Sequence, residues 1–432
     1  MFSPQNALDA CLDMVCYISY SFFVETHMIY LIYSISIRLD ETRGDMMRVL
    51  VTFGKHPKTL TVVRSLGRSG RKVTVVDDTR FSMSSFSRYC NDFVKMRSPN
   101  DDPKGYLEKL ERIVEEQGID LVIPMDDQEL DLLQSEPNRL GSLCAIAAPE
   151  KDSYGIARDK LRTVNLAESL NIEIPKSCIV RNDEPIDSIL DVIGLPAILK
   201  PRKGSGSRGL LFIKSKKDLE AALGSIDKRE EMLAQEFIPS AGGIGVSLLM
   251  KEGRVRASFT HKRIIEFPET GGPSLVRVSI HNSIAESAAE LLLKNLKWNG
   301  VAMVEFRLDS RTGRPILMEV NPRFWGSLPL AIACGVDFPK LLCDMYEFGD
   351  ASCDGIYKEG IGCVNFLPFG MSSILDSDGL SRFIMLLRNG IKFRHFDVES
   401  VKDPMPILGA LLSMARGIVD PKMVEAVLRR ST

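Results

Sequence analysis

Two short apolar segments, each carrying one glutamate, decide the fold of this chain: Val301-Ala-Met-Val-Glu305-Phe306 and Ile316-Leu-Met-Glu319-Val-Asn321-Pro-Arg323. Their β-branched and apolar content predicts two strands, joined by a turn over 310–314. That loop length would pair residue 309 with 315 and place Glu305 opposite Glu319. Because side chains alternate along a strand, Glu319 and Asn321 share one face.

Two carboxylates that face each other in an apolar sheet repel, and a hard cation between them removes that cost. Mg²⁺ prefers oxygen ligands and usually leaves its remaining positions to phosphates and water. The pattern therefore predicts a Mg²⁺ site between Glu305 and Glu319, with Arg323 on the same face to hold a phosphate oxygen. The alternative is an acidic hairpin on the protein surface, and the apolar neighbours argue against it.

The composition is that of a soluble globular protein, with 44% apolar and 26% charged residues. A length of 432 residues exceeds one ordinary core and predicts two or three domains. A net charge of -2 gives no reason to expect a nucleic acid or an anionic membrane as partner. Nine cysteines without a Cys-x-x-Cys spacing suit free thiols in a reducing cytosol. Five histidines without ligand spacing do not predict a transition-metal centre.

Residues 1–45 differ from the rest of the chain, because two apolar runs there flank Glu25 and His27. Neither run reaches the roughly 18 residues of a membrane span. Joining them would bury both polar side chains near the bilayer centre, which is costly. No signal-peptide pattern is present either. We expect a disordered or non-native leader, with the chain proper beginning at Met46 or Met47; a membrane anchor is the alternative.

Strands and helices alternate over residues 46–150, which predicts a Rossmann-like parallel sheet with helices on both faces. Ligands bind such sheets at the carboxyl ends of the strands. Gly54-Lys55, Asp77 and Met125-Asp126-Asp127 fall at three such ends. For each of them taken alone, an ordinary loop is the better interpretation.

From residue 151 onward the pattern changes to mixed strands and helices with hairpins. It predicts an α+β domain over 151–345, with a flap subdomain over about 175–240. Residues 346–432 predict a C-terminal helical extension, with helices at 372–389 and 404–417.

A glycine-rich loop lies in the flap, in the segment Lys200-Pro-Arg-Lys-Gly204-Ser-Gly206-Ser-Arg208-Gly209. A strand follows it, whereas a dinucleotide fingerprint needs a helix there and a Walker loop needs Gly-Lys-Ser/Thr. Such a loop, rich in Ser, Lys and Arg, can fold over a polyphosphate, which Lys200 would also reach. The alternative is a mobile basic loop on the surface, and the acidic pair downstream favours the phosphate interpretation.

Five motifs, in order over about 155–340, resemble the ATP-grasp superfamily. They are Asp159-Lys160 before a helix, Lys200 before the glycine loop, Gln235-Glu236-Phe237-Ile238, Glu305, and Glu319-Val-Asn321-Pro-Arg323. The resemblance implies a fold of class α/β plus α+β: a Rossmann-like pre-ATP-grasp domain, then a two-subdomain ATP-grasp fold. The segment from His261 to Ser274 resembles the carboxylate–amine ligase branch related to the large chain of carbamoyl-phosphate synthases.

The resemblance also implies roles for individual residues. The ATP phosphates would be bound by Lys160, Lys200, Ser205, Gly206 and Arg208. The adenine would meet the backbone of Glu236, Phe237 and Ile238, with Met318 also in the nucleotide site. Mg²⁺, or Mn²⁺ as an alternative, would be held by Glu305, Glu319 and Asn321. Catalysis would involve Arg323, Lys200, His261 and Arg263, although a structural hydrogen bond is an equal alternative for His261. Residues 241–247 lack the acid that holds the ribose in many members of the family, so that contact stays unassigned.

The implied function is an ATP- and Mg²⁺-dependent ligase that phosphorylates a carboxylate and couples the acyl phosphate to an amine. A thiol or bicarbonate could replace the amine. The alternatives are a non-catalytic or regulatory ATP-binding protein of the same fold, and a nicotinamide oxidoreductase. The oxidoreductase is disfavoured because Gly54 stands alone where three glycines are expected. We expect a cytoplasmic protein with small-molecule carboxylate and amine substrates, no nucleic acid or membrane partner, and a homodimer as the default assembly.

Overall fold

A parallel sheet of five strands begins the computed structural model, which describes residues 46–180, 185–204, 206, 209–225, 231–267, 272–375 and 379–419. The predicted leader over 1–45 lies outside the described residues. The strands follow the order β3-β2-β1-β4-β5 and all pair in parallel. They are β1 (Arg48–Val51), β2 (Lys72–Asp77), β3 (Asp92–Lys95), β4 (Leu121–Ile123) and β5 (Ala145–Ile146).

Helices pack around this sheet, and local sequence fixes where they begin and end. They are α1 (Pro57–Arg68), α2 (Pro103–Gln117), α3 (Asp127–Ser135) and α4 (Pro137–Gly141). The helix α1 begins at Pro57, after the side chain of His56 accepts from the Lys58 N–H. The helix α2 ends at Gly118, which adopts a left-handed φ of 59°. The alternation confirms the predicted Rossmann-like sheet.

An antiparallel sheet of six strands carries the acidic hairpin, in the order β14-β13-β10-β11-β12-β15. Its strands are β10 (Ser240–Lys251), β11 (Arg254–Glu266), β12 (Ser274–Ser279), β13 (Gly300–Asp309), β14 (Pro315–Asn321) and β15 (Gly362–Val364). Ile244, Val246 and Leu248 share a core with Ala285 and Leu292 of the helix α9 (Ser283–Asn295). Because side chains alternate along β10, the opposite face at this level is left for the candidate site.

A smaller sheet of four strands precedes it, in the order β6-β9-β7-β8. Its strands are β6 (Ser177–Val180), β7 (Ala197–Pro201), β8 (Leu211–Ile213) and β9 (Met232–Glu236). Four helices flank or precede these strands: α5 (Lys151–Arg158), α6 (Lys160–Ser169), α7 (Ile186–Ile193) and α8 (Lys216–Ser225). Ala197 pairs with Ile213 in antiparallel register, so the glycine loop joins two strands as predicted.

The predicted register of the acidic hairpin is confirmed at the two glutamates, but it is wrong near the turn. Glu305 pairs with Glu319, but Leu308 rather than Asp309 pairs with Pro315. The register shifts by one residue after Glu305, because Met318 forms a bulge in β14. A sequence pattern predicts alternation, and it does not reveal a single inserted residue.

The C-terminal region contributes both helices and a strand. The helices are α10 (Leu328–Ala333), α11 (Phe338–Glu347), α12 (Gly379–Phe393) and α13 (Pro406–Val419), and β15 pairs with β12. Within the range 372–389, where one helix is predicted, the structure has a short 3-10 helix at Ser373–Leu375 and α12 from Gly379, and residues 376–378 lie outside the described residues. Two buried ion pairs hold this region in place: Arg277 with Asp397, and Arg64 of α1 with Asp403.

Two expectations from the sequence concern membrane-spanning helices and the state of the cysteines. Within the described ranges no helix is both long and apolar enough to cross a membrane. The seven cysteines in those ranges are free thiols. The domain boundaries given above stay predictions.

Candidate active site

A row of paired residues crosses the six-stranded sheet and forms the floor of the candidate site. Glu319 pairs with Glu305, Glu305 with Gly245, and Gly245 with His261. Directly paired residues point to the same face, so the two carboxylates lie side by side. A Cβ atom at Gly245 would lie 2.3 Å from Cε1 of His261, so the imidazole fills the space over the glycine.

Asn321 and two cations surround the paired carboxylates. Asn321 Nδ2 donates to Glu305 Oε1 at 2.9 Å and to Glu319 Oε1 at 3.4 Å. Arg263 Nη2 lies 2.5 Å from Glu305 Oε2, and Lys160 Nζ lies 3.5 Å from Glu319 Oε2. Burial raises the pKa of Glu305 above its ordinary value; Arg263 opposes that shift and Glu319 adds to it. The structure therefore brings five of the predicted site residues together.

The donor set of Glu305, Glu319 and Asn321 fits a hard divalent cation. Two carboxylates and one amide supply oxygen ligands, since rotation of the amide exchanges Nδ2 for Oδ1. A cation would also relieve the repulsion from Glu319, which adds to the effect of burial in raising the pKa of Glu305. Elsewhere in the described ranges no group of three or more His, Cys, Asp or Glu could hold a metal, so Asn321 is needed as the third ligand.

Lys160 connects the first turn of α6 to the glycine loop. Its Nζ donates to the Gly204 carbonyl at 2.7 Å, and its backbone N–H donates to the Arg202 carbonyl at 3.0 Å. Asp159 caps α6 by accepting from the Leu161 N–H at 3.0 Å, and it also pairs with Arg202. These contacts hold the Lys160 ammonium between the loop and Glu319.

Lys200, at the end of β7, lies within electrostatic reach of the same carboxylates. Burial lowers the pKa of Lys200 to about 8; Glu319 acts in the opposite direction, and Lys160 adds to the lowering. In the following loop Gly206 has a left-handed φ of 66°, which glycine adopts without strain. Ser205 and Arg208, predicted to contact phosphates, lie outside the described residues.

The predicted adenine hinge begins at the end of β9. The N–H of Glu236 donates to the Lys176 carbonyl at 2.9 Å, and the N–H of Phe237 donates to the Pro196 carbonyl at 3.1 Å. Both amides are therefore engaged within the protein, and an adenine contact would use other backbone groups of the hinge. The buried Ile238 accepts through its carbonyl from Arg307 Nη1 at 3.3 Å.

Arg307 is a site residue that the sequence interpretation missed. Its guanidinium lies 5.9 Å from the centroid of the Phe237 ring, so it connects the hinge to the acidic hairpin. Burial lowers its pKa, and Glu266 opposes that shift. The sequence contains a signal for Arg307 as a site residue, because Glu305 and Arg307 are two residues apart on one strand and share a face. The predicted nucleotide contact Met318 is half-buried at the bulge of β14.

Arg323 is held by a residue of the N-terminal sheet region. Its Nε and Nη2 donate to the two carboxylate oxygens of Asp127 at 2.9 and 3.1 Å, and Nη1 donates to the Phe324 carbonyl at 3.1 Å. Asp127 also lines a pocket of about 240 Å³, including the solvent at its mouth. We call it the carboxylate pocket, and it is lined by Asp127, Lys160, Gly204, Glu319 and Asn321, among others.

His261 does not reach the carboxylate pocket. The residue is 0% exposed, and its ring stacks on Phe259 with the centroids 6.4 Å apart. Burial lowers its pKa well below the ordinary value, and Arg263 adds to that shift, so the imidazole is neutral. This burial argues against the catalytic role of His261, which stays a prediction, and neither ring nitrogen has a hydrogen-bond partner among the described residues.

Of the three strand ends singled out in the sequence, Asp127 lines the carboxylate pocket, and Gly54-Lys55 and Asp77 form a hydrogen-bonded turn. Asp77 accepts from the N–H of Lys55, and also from the N–H of Asp78 at 2.6 Å and of Thr79 at 3.3 Å. A Cβ atom at Gly54 would lie 2.6 Å from Cγ1 of Val75, so this glycine permits close packing. The turn therefore gives the oxidoreductase alternative no support.

Comparisons with known proteins agree with this geometry. Residues 157–327 match the family model described as an ATP-grasp domain. The chain is 27% identical over 217 residues to a protein of Shewanella halifaxensis named probable alpha-L-glutamate ligase. That match covers 48% of this chain and 45% of the relative, so the chain spans less than half of the relative's length.

Solved structures share the fold at low sequence identity. N5-carboxyaminoimidazole synthetase from Staphylococcus aureus has a TM-score of 0.60 and 16% identity, over 76% of this chain and 83% of that one. The biotin carboxylase domain of 2-oxoglutarate carboxylase from Hydrogenobacter thermophilus has a TM-score of 0.59 and 16% identity, over 73% of each chain. That structure is a complex with MgADP, ADP and bicarbonate.

Proposed function

Residues 157–327 are an ATP-grasp domain by their match to that family model, and from that premise we propose that the chain is an ATP- and Mg²⁺-dependent carboxylate–amine ligase. The observation that carries the proposal is the carboxylate pocket. There Glu319 and Asn321 adjoin Lys160, while Asp127 holds Arg323. A protein that only bound a nucleotide would not need this full set of acids and cations.

Four cations near the pocket suit a triphosphate. Lys160, Lys200, Arg263 and Arg307 all act electrostatically on Glu305, Glu319 or each other. Glu305, Glu319 and Asn321 would hold Mg²⁺, which supplies neutralisation of phosphate charge when bound. The same oxygen donors accept Mn²⁺.

The reaction has two steps in this proposal. A carboxylate oxygen of the substrate attacks the γ-phosphorus, the bond from that phosphorus to the oxygen bridging to the β-phosphate breaks, and ADP leaves. The amine then attacks the carbonyl carbon, phosphate leaves, and the nitrogen loses a proton. Arg323, oriented by Asp127, stabilises negative charge on the phosphoryl group, and the glycine loop excludes water.

The test is phosphate release from Mg·ATP by the full chain, against pools of carboxylates and amines that include L-glutamate, after the name of the relative. We expect release that depends on one carboxylate plus one amine. Glu319→Gln should reduce it at least 100-fold, since removal of one electrostatic contact to the transition state costs about 10²–10³ in rate.

The matched control is Glu290→Gln, which changes an exposed glutamate on α9 and should leave release unchanged. Circular dichroism would verify that both variants fold. Nucleotide binding without release in any pool would contradict the ligase and favour a regulatory ATP-binding protein. Normal release by Glu319→Gln would contradict the metal assignment.

A further inference from the structure

A second pocket lies at the carboxyl edge of the parallel sheet, and we call it the edge pocket. Its volume is about 350 Å³, including the solvent at its mouth. Its lining includes Lys55, Asp78, Arg97, Tyr106, Gln128 and Glu129. Sheets of this kind bind ligands at this edge.

Two buried polar atoms in the edge pocket lack a partner on another residue of the described chain. They are the hydroxyl of Tyr106 and Oε2 of Glu129. Each of these residues is 5% exposed. A buried polar group without a hydrogen bond is destabilising, so two in one pocket call for an explanation.

The other two carboxylates of the pocket, Asp77 and Asp78, are already engaged. Asp77 accepts from three backbone N–H groups, and Lys55 Nζ lies 2.5 Å from Asp78 Oδ2. Glu129 is therefore the carboxylate that faces the pocket without a cation bonded to it. Burial raises the pKa of Glu129 to about 7, and Asp126 adds to that shift, so a cation placed beside it would be bound favourably.

We propose that the edge pocket binds the ammonium group of a small amine substrate, which donates to the Glu129 carboxylate and to the Tyr106 hydroxyl. The exposed Arg97 at the mouth suits a carboxylate on the same molecule, which makes an amino acid the fitting class of ligand. The first turn of α3 connects the two sites, because Asp127 lines the carboxylate pocket and Glu129 lines the edge pocket. The inference rests on the proposed function only in naming the ligand a substrate.

The test is calorimetric titration of the full chain without nucleotide. The probes are the proteinogenic amino acids, the amines formed by removing their α-carboxylate, and their N-acetyl derivatives. At least one compound with a free ammonium should bind, and its N-acetyl derivative should not. Glu129→Gln should weaken that binding at least 10-fold and Tyr106→Phe about 3-fold. The control Glu108→Gln, an exposed glutamate on the same helix as Tyr106, should leave it unchanged.

Binding of none of these compounds, equal binding of the N-acetyl derivatives, or unchanged binding by Glu129→Gln would each overturn the inference. Two further outcomes distinguish failure of this inference from failure of the proposed function. If an amino acid binds but no phosphate is released, the pocket stands and the ligase does not. If amine-dependent release is the same in Glu129→Gln as in the natural chain, the ligase stands and the pocket does not.

Discussion

Two buried arginine–aspartate pairs in this molecule, Arg277–Asp397 and Arg323–Asp127, have the same chemistry but different roles. Arg277 and Asp397 are 1% and 0% exposed, and Nη2 of the arginine also donates to Cys363 Sγ at 3.4 Å. Arg323 and Asp127 are 10% and 6% exposed, and they lie at the edge of the carboxylate pocket. Both pairs join segments more than a hundred residues apart.

The difference lies in what surrounds each guanidinium. Arg277 is enclosed by β12, β15 and the segment that follows α12, so it interacts only with the protein. Arg323 is fixed through Nε and Nη2, and its immediate neighbours in the chain line a pocket that suits a phosphate. An ion pair sealed in the core supports the fold, whereas one at a pocket orients a cation for a ligand.

Breaking the enclosed pair of Arg277 and Asp397 should cause the largest loss of stability. We expect Asp397→Asn to lower the free energy of unfolding by about 3–5 kcal/mol, because it leaves a buried guanidinium without its countercharge. Urea unfolding measures the change. The control is Asp350→Asn, which removes the partner of Arg256 from a pair whose aspartate is 52% exposed, and should cost less than about 1 kcal/mol. Equal losses in the two variants would show that burial does not distinguish these pairs.

A third buried cation sharpens the comparison, because Lys58 has a longer ion pair and no short hydrogen bond to a carboxylate among the described residues. Its ammonium lies 3.7 Å from Asp126 Oδ1, and burial, to which Arg323 adds, lowers its pKa to about 8. Below pH 8 the charged form is present in both the folded and the unfolded chain, so its full cost opposes folding. As the pH rises from 8 towards 10.5, the unfolded chain holds more protons than the folded one, and stability increases.

We therefore expect Lys58→Met to be more stable than the natural chain at pH 7, by up to about 3 kcal/mol. The difference should decrease as the pH approaches 10.5. Urea unfolding at pH 7 and at pH 10 measures both quantities. A variant that is less stable at pH 7 would mean that the lysine has a stabilising partner within the folded protein.

The smallest effect is expected at the pair beside the pocket. Asp127→Asn keeps the shape but removes the charge that orients Arg323. We expect kcat for phosphate release to fall about 10- to 100-fold with little change in the KM for ATP, as displacement of a positioned group does. The loss of stability should be smaller than for Asp397→Asn. Unchanged kcat would remove Asp127 from the site and make the two pairs alike.

The sequence predicted what depends on local pattern and missed what depends on long-range contact. The alternation of apolar residues was enough to place Glu305 opposite Glu319, and the strand after the glycine loop excluded a Rossmann turn. The contact of Arg323 with Asp127 joins residues 196 apart, and no local pattern encodes it. Burial is also hidden from the sequence at His261, where a motif allowed catalysis and the three-dimensional packing encloses the ring.

The ion pair between Arg64 and Asp403 determines when α1 can complete its contacts during synthesis of the chain. Arg64 belongs to α1, is 8% exposed, and receives its partners, Asp403 and the Val398 carbonyl, from the far end of the described chain. The two residues of the pair are 339 positions apart. At a synthesis rate of about 5–20 residues per second, α1 waits roughly 20–70 s on the ribosome before its buried cation can be matched. During that interval the N-terminal sheet carries an unfinished face, which is completed by a segment made 339 residues after Arg64.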